Sequence, residues 1–252
     1  GFLPSASVWG VKVLDDEGGG ELTDIAAGIR HTADVAPDGT VLNLSLGSPK
    51  FSTAIDNALA YAVGEGIIPV AAAGNDRQAS RWVATPAASE HAIAVGATTV
   101  APPSKAKSAY YSNIGPHNGI TDASGGETRG AEIDVAAPGC KLESASGEAL
   151  TGTSMAGPVA GSVLALDVAA GNTSDLETAR ERLTTYAEPI PKASESEVGH
   201  GMPSAANLLA GTEPETDQAD AETDEADARG NAYRTLSGNP AIRALTRAQQ
   251  SF

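Results

Sequence analysis

The 252 residues contain one cysteine, Cys140, so an internal disulfide is excluded. That thiol reads as a small buried hydrophobe rather than a reactive group. No apolar run reaches the ~18 residues of a membrane helix, which leaves no membrane span. The chain opens on Gly1, without a methionine or a basic-then-apolar leader, and is expected to be a fragment or a processed product. Lysine is scarce: it supplies six of 16 basic residues, against 32 acidic ones and a net charge of −16. Such a chain repels nucleic acid and anionic membranes. Abundant acid with little lysine is what a surface adapted to high salt carries, because screening removes its self-repulsion.

The charge is concentrated near one end. Residues 211–230, GTEPETDQADAETDEADARG, hold eight acids and one arginine, net −7, with no aromatic or large aliphatic side chain. Such a segment cannot offset the entropy of ordering, so 211–231 is expected to be a disordered linker. Beyond it, 232–252 is a short tail whose NPAIRALTRAQQSF suits a helix from Pro240 onward. The folded part is expected within 1–210.

Within that part, strand and helix signals alternate. Val8–Leu14, Val41–Gly47, Ile67–Gly74, Ala92–Thr98 and Glu132–Gly139 read as strands. Glu21–Asp34 places Ile25 and Ile29 on one helical face. Ser52–Gly66 does the same with Ile55, Leu59, Ala62 and Val63, behind a serine cap and before a terminal glycine. A Gly-punctuated hairpin then leads into a helix around Ser154. This order predicts an α/β fold with right-handed crossovers and a mostly parallel, doubly wound sheet with helices on both faces. Function in such sheets gathers at the carboxyl ends of strands, where Gly47, Gly74 and Asn75 stand.

Alone, Ser154 reads as a helix N-cap and Asn75 as a turn residue after Gly74. Acyl transfer through such a serine has further requirements. A serine hydroxyl attacks a carbonyl only when a base takes its proton and donors stabilise the oxyanion. The unpaired N–H at a helix start supplies one donor and a side-chain amide at a strand end supplies another.

The segments GTSMAGP (Gly152–Pro158), AAAGN (Ala71–Asn75), VLNLSLG (Val41–Gly47) and VKVLDDEGGGELTDIAAGI (Val11–Ile29) resemble the subtilisin-like serine proteases. YSNIGP (Tyr111–Pro116), DVAAPG (Asp134–Gly139) and GHGMPSAANLL (Gly199–Leu209) fit the same family in the same order. The resemblance implies Ser154 as nucleophile and Asn75 as side-chain oxyanion donor. It implies Ser45, Leu46 and Gly47 as the substrate-binding strand, and Ala72, Ala73 and Gly74 as the wall of the primary pocket. Polypeptide substrates, an extracellular location and a possible haloarchaeal, salt-adapted source go with it. No cofactor is evident and no metal residue is assignable, although the family allows calcium.

The family's triad runs Asp, then His, then Ser. Neither the aspartate nor the histidine motif is present here. Asp15, Asp16 and Asp122 do not match the first. His31 reads as an exposed helix residue, His91 and His117 as loop residues, and His200 as part of a Gly–His–Gly turn. The chain therefore resembles the carboxyl two-thirds of the catalytic domain. Relative to the family, one position is absent between Pro158 and Val159, a rotation of about 100° on a helix, so that later contacts must re-register or the helix distort. Residues 116–130 read as an inserted surface loop. Two functions of different class follow. One is a serine endopeptidase active in an intact parent and inactive in this chain. The other is a non-catalytic remnant or binding protein. The serine-carboxyl peptidases, which use Glu and Asp with a similar serine motif, are a lesser third.

Overall fold

Ser52 begins the second helix as its spacing predicts: its Oγ accepts from the N–H of Ile55 at 3.4 Å, and Ile55, Ala58, Leu59 and Ala62 follow on the buried face. A computed structural model describes residues 3–4, 6–79, 81–116 and 131–214. His117, Asp122, the inserted loop beyond Pro116, nearly all of the acidic linker and the tail lie outside the described residues. The elements run α1 (Leu22–Val35), β1 (Val41–Leu44), α2 (Thr53–Gly64), β2 (Ile68–Ala72), β3 (Ile93–Thr98) and β4 (Val135–Pro138). Then come the hairpin β5 (Leu142–Glu143) and β6 (Ala149–Leu150), α3 (Thr153–Ala169), α4 (Leu176–Thr185), α5 (Glu195–Val198) and α6 (Ala205–Ala210).

Strands β1 to β4 form one parallel sheet in sequence order, in registers such as Val41 opposite Ile68 and Val95 opposite Val135. Side chains alternate across a pleated strand, and each face of this sheet has its own core. Ala71, Ala73 and Ala94 join Ile25, Ile29, Ile55 and Leu59 beneath α1 and α2. Ile68, Val70, Ile93, Val95 and Val135 join Ala156, Ala160, Leu164 and Leu183 beneath α3 and α4. This is the doubly wound α/β architecture. Leu164, fully buried, stabilises it by about 1.5–3 kcal/mol through transfer alone.

Helix α3 is the central element. It runs unbroken through the position of the missing residue, and small residues let it lie close to β1. A Cβ at Gly157 would stand 3.1 Å from Asn43 Oδ1, and one at Gly161 3.5 Å from a Val41 methyl. Its far end is fixed by Asp167, which is fully buried. Arg182 donates to that carboxylate twice, at 2.7 and 2.9 Å, joined by Thr173 at 2.5 Å and Asn172 at 2.9 Å. Arg182 also donates to Leu208 O at 2.8 Å and stacks on Tyr186, so one ion pair joins α3, α4 and α6.

One expectation fails. Val8–Leu14 forms no strand among the described residues. Val8 and Trp9 are exposed, and Val11 and Val13 rest on α1, where a Cβ at Gly28 would strike them. A β-rich composition records fitness for a pleated surface, not the presence of a partner. Strand β1 is also open: among the described residues it pairs with β2 alone. Beside that strand, α3 carries apolar residues around most of its circumference, with Asp167 as its one charged side chain. Such a helix belongs inside a core, yet Pro158 is exposed and Met155 and Val159 are only half-buried.

Candidate active site

Three chain segments meet where β1 and β2 end and α3 begins. Leu46 and Gly47 follow β1, while Gly74, Asn75 and Asp76 follow β2. Thr153 and Ser154 open α3. With Ala72 and Ala84 these line a cavity of about 170 Å³. Ala73 does not line it. Its side chain is buried among α1 and α2, its N–H bonds to Val95 O and its carbonyl accepts from Ala84.

Ser154 is not the N-cap. Gly152 holds that position, with φ 158°, and Ser154 is the second helical residue. Its N–H therefore has no partner within the helix and lies at the positive end of the dipole. The helix reaches this point by a close approach: the N–H of Gly152 donates to Gly139 O at 2.8 Å, and a Cβ at Gly139 would meet Gly152 O at 2.7 Å.

Asn75 is oriented by Thr153, which is fully buried. The Thr153 N–H and hydroxyl both donate to Asn75 Oδ1, at 2.8 and 3.0 Å. The same hydroxyl accepts from the N–H of Gly74 at 3.1 Å. With its oxygen held by two donors, the amide turns Nδ2 the other way, where no hydrogen bond among the described residues uses it. A Cβ placed on Gly152 would stand 3.4 Å from Asn75 Nδ2 and 3.7 Å from Ser154 N. Two unspent donors thus border one small space, kept open by the absence of a side chain at 152. This arrangement can accept an oxyanion formed beside the Ser154 hydroxyl.

Ser45 serves the same helix. Pro158 has no N–H, so the carbonyl four residues earlier, that of Ser154, loses its helical donor. The Ser45 hydroxyl supplies the replacement at 2.8 Å, and Asn43 Nδ2 donates to the Ser45 hydroxyl in turn.

Among the described residues no side chain that could act as a base bonds to the Ser154 hydroxyl. The Ser154 hydroxyl donates to Ser45 O at 3.4 Å, and no described histidine bonds to it. His31 and His200 are exposed and His91 is half-buried. Asp15 accepts from the N–H groups of Glu17 and Gly19, and Asp16 pairs with Lys12, so neither attends the serine. Among the described residues no group of three or more His, Cys, Asp or Glu could hold a metal, and no helix is long and apolar enough to cross a membrane.

Sequence reading placed Ser154, Asn75, Leu46, Gly47, Ala72 and Gly74 at this cavity. It missed Thr153 as the residue that orients Asn75, although Thr153 lies inside the same GTSMAGP motif. Ser45, expected in the substrate-binding strand, has its hydroxyl engaged by Ser154 O.

Known proteins resemble this chain in sequence and in fold. The model of the Subtilase family matches residues 1–232. A subtilisin of Bacillus sp. (strain TA39) is 36% identical over 177 residues, covering 66% of this chain and 40% of the relative. Subtilisin NAT of Bacillus subtilis subsp. natto is 35% identical over 193 residues, covering 74% and 45%. Among solved structures, sphericase superposes with a TM-score of 0.67 at 30% identity, over 79% of this chain and 69% of that one. The S41 psychrophilic protease gives 0.66 at 28%, with the same coverage. The chain spans less than half the length of these two curated relatives. On the matched residues and the shared fold, the chain belongs to the subtilase family.

Proposed function

We propose that this chain carries the nucleophile, the oxyanion donors and the primary pocket of a serine endopeptidase, and that its parent hydrolyses polypeptides once an Asp- and His-bearing segment supplies the base. The observation that carries the reading is the fixed Asn75 amide, with Nδ2 unspent beside the Ser154 N–H. In the reaction, Ser154 Oγ attacks the peptide carbonyl and its proton passes to the supplied base. The carbonyl oxygen becomes an oxyanion that accepts from Ser154 N–H and Asn75 Nδ2. Collapse breaks the C–N bond, the base returns the proton to the leaving amine, and water then releases the acyl group from Ser154. The open edge of β1 and the half-covered face of α3 are where further chain would dock.

We place the parent outside the cell, in a salty medium, on the strength of its family and its acidic, lysine-poor composition. The family allows calcium, but no step is routed through it here. The second reading, a binding protein without catalysis, is favoured by the Ser154 hydroxyl resting on Ser45 O instead of a base.

The test is to express the chain alone and joined to whatever reading frame precedes Gly1 in its gene, then to probe both with a fluorophosphonate and a peptide amide. The chain alone is expected to show no turnover, and the joined form to be labelled at Ser154 and active. A stop codon directly upstream, or a joined form with no Ser154 labelling, would favour the binding reading.

A further inference from the structure

Asn75 and Asp76 are both exposed, on a stretch with no regular structure that runs on to Trp82. An oxyanion donor on such a stretch needs a brace, because an amide that swings by an ångström no longer meets the developing charge. Thr153 fixes the tip of the Asn75 side chain. The backbone beneath it is fixed by another residue, Asn113, which is fully buried and belongs to neither the sheet nor a helix.

Asn113 turns its N–H and both polar atoms of its side chain in this direction. Its N–H donates to Gly74 O at 3.0 Å, its Oδ1 accepts from the N–H of Asp76 at 2.7 Å, and its Nδ2 donates to Trp82 O at 2.8 Å. One residue therefore ties both sides of Asn75, Gly74 through its backbone N–H and Asp76 through its side chain, which also reaches the far end of the loop. It does so by passing directly beneath Gly74, where φ is +106° and a Cβ would collide with the Asn113 amide. The glycine of the AAAGN motif thus has two causes, its left-handed backbone and the asparagine under it. On both sides of Asn113, Val83 N–H donates to Ile114 O and the Asn113 carbonyl accepts from the Ser112 hydroxyl, so the brace itself cannot rotate.

We infer that Asn113 is a positioning residue, holding the Gly74–Asp76 backbone so that Asn75 Nδ2 faces the Ser154 N–H. The inference rests on the reading of Asn75 as oxyanion donor. Removing the Asn113 amide takes a partly buried hydrogen bond from each end of the loop, at the Asp76 N–H and the Trp82 C=O. Asn75 then keeps its contacts to Thr153 but loses the fixed backbone that lets them aim Nδ2.

The experiment uses the chain as it stands. The Asn75 side-chain NH₂ pair is identified in a ¹H–¹⁵N spectrum by its loss in Asn75→Asp. In Asn113→Ala that pair is expected to broaden or to move toward the unstructured amide position. In Thr173→Ala, which weakens the remote Asp167 network, it is expected to stay in place. Asn113→Asp keeps an acceptor for the Asp76 N–H and should restore much of the original signal. If Asn113→Ala does not fold, Asn113→Ser takes its place, because a serine side chain is too short to span both loop ends. An Asn75 pair unmoved in the folded Asn113 variant, or moved equally by Thr173→Ala, overturns the proposal. In an enzyme completed with the base, Asn113→Ala should lower kcat by about 10-fold or more with KM little changed. A wild-type completed enzyme that Ser154 reagents do not label would defeat the nucleophile reading, while the response of Asn75 to Asn113 would still report on the brace.

Discussion

Ser45 and Ser154 hold each other reciprocally: the Ser45 hydroxyl donates to Ser154 O at 2.8 Å, and the Ser154 hydroxyl donates to Ser45 O at 3.4 Å. The short bond compensates for Pro158. The long one rests the Ser154 hydroxyl on a carbonyl that cannot take its proton. The end of β1 and the start of α3 are therefore coupled at the proposed nucleophile itself.

Ser45→Ala should leave the Ser154 carbonyl without its substitute donor. A loss of about 1 kcal/mol is expected, seen as a lower urea midpoint with an unchanged slope. An unaltered midpoint would show that the helix tolerates the gap left by Pro158 unaided.

Asp167 should dominate the acid limb of stability. Burial alone would push its carboxyl up, but the donors Arg182, Thr173 and Asn172 outweigh burial and hold it below the ordinary aspartate value. Glu197 behaves likewise: burial is opposed by the Ser194 N–H and by Arg77, with the net shift downward. A depressed carboxyl stabilises the fold above its unfolded pKa, and that contribution disappears as pH falls through the folded one. Melting temperature should therefore hold through neutral pH and drop below about pH 4, the usual carboxyl range. Asp167→Ala should cost about 3 kcal/mol at neutral pH, because it removes the buried carboxylate that pairs with the half-buried Arg182 and accepts from Thr173 and Asn172. A melt of that variant matching the wild type would contradict the assignment.

Asn75→Ala, made in a completed enzyme, should lower kcat by about 10²–10³-fold and leave KM nearly unchanged. That magnitude is carried over from subtilisin, whose own side-chain donor is the worked case for this effect. A rise in KM with kcat intact would mean that the amide binds substrate instead of the oxyanion.

Salt should stabilise the chain. With a net charge of −16, self-repulsion acts over about 10 Å at 0.1 M salt and only about 3 Å at 1 M. Thermal melts by circular dichroism should sharpen and rise in molar sodium chloride, with turnover still absent. A cooperative melt in dilute buffer that molar salt leaves unchanged would remove the salt-adapted reading.

Helix α2 was legible because its cap, apolar stripe and terminal glycine all lie within one short window. So was Ser154, whose neighbours are local. Val8–Leu14 was misread because a strand is a pairwise object and its partner cannot be seen from its own residues. Asn113 lay in plain sight within YSNIGP, yet its role depends on Gly74, Asp76 and Trp82, more than thirty residues away. Burial and three hydrogen bonds define that role, and none of them leaves a local pattern. Ser45 was hidden for a related reason: only the approach of Pro158 makes its hydroxyl structural.

The bond between Gly152 N–H and Gly139 O closes residues 140–151 into a ring of chain pinched at its base. Nothing in that ring is needed to set the direction in which Ser154 leaves the sheet, because the pinch sets it. The hairpin is thus modular. Its length and side chains can be rewritten, by evolution or by an engineer, while Ser154 keeps its address. Loop closure grows only as the logarithm of length, so doubling the ring costs about 0.6 kcal/mol. A sequence can therefore vary what it presents beside Tyr111 and Thr151 at small cost, provided that both pinching residues remain glycine.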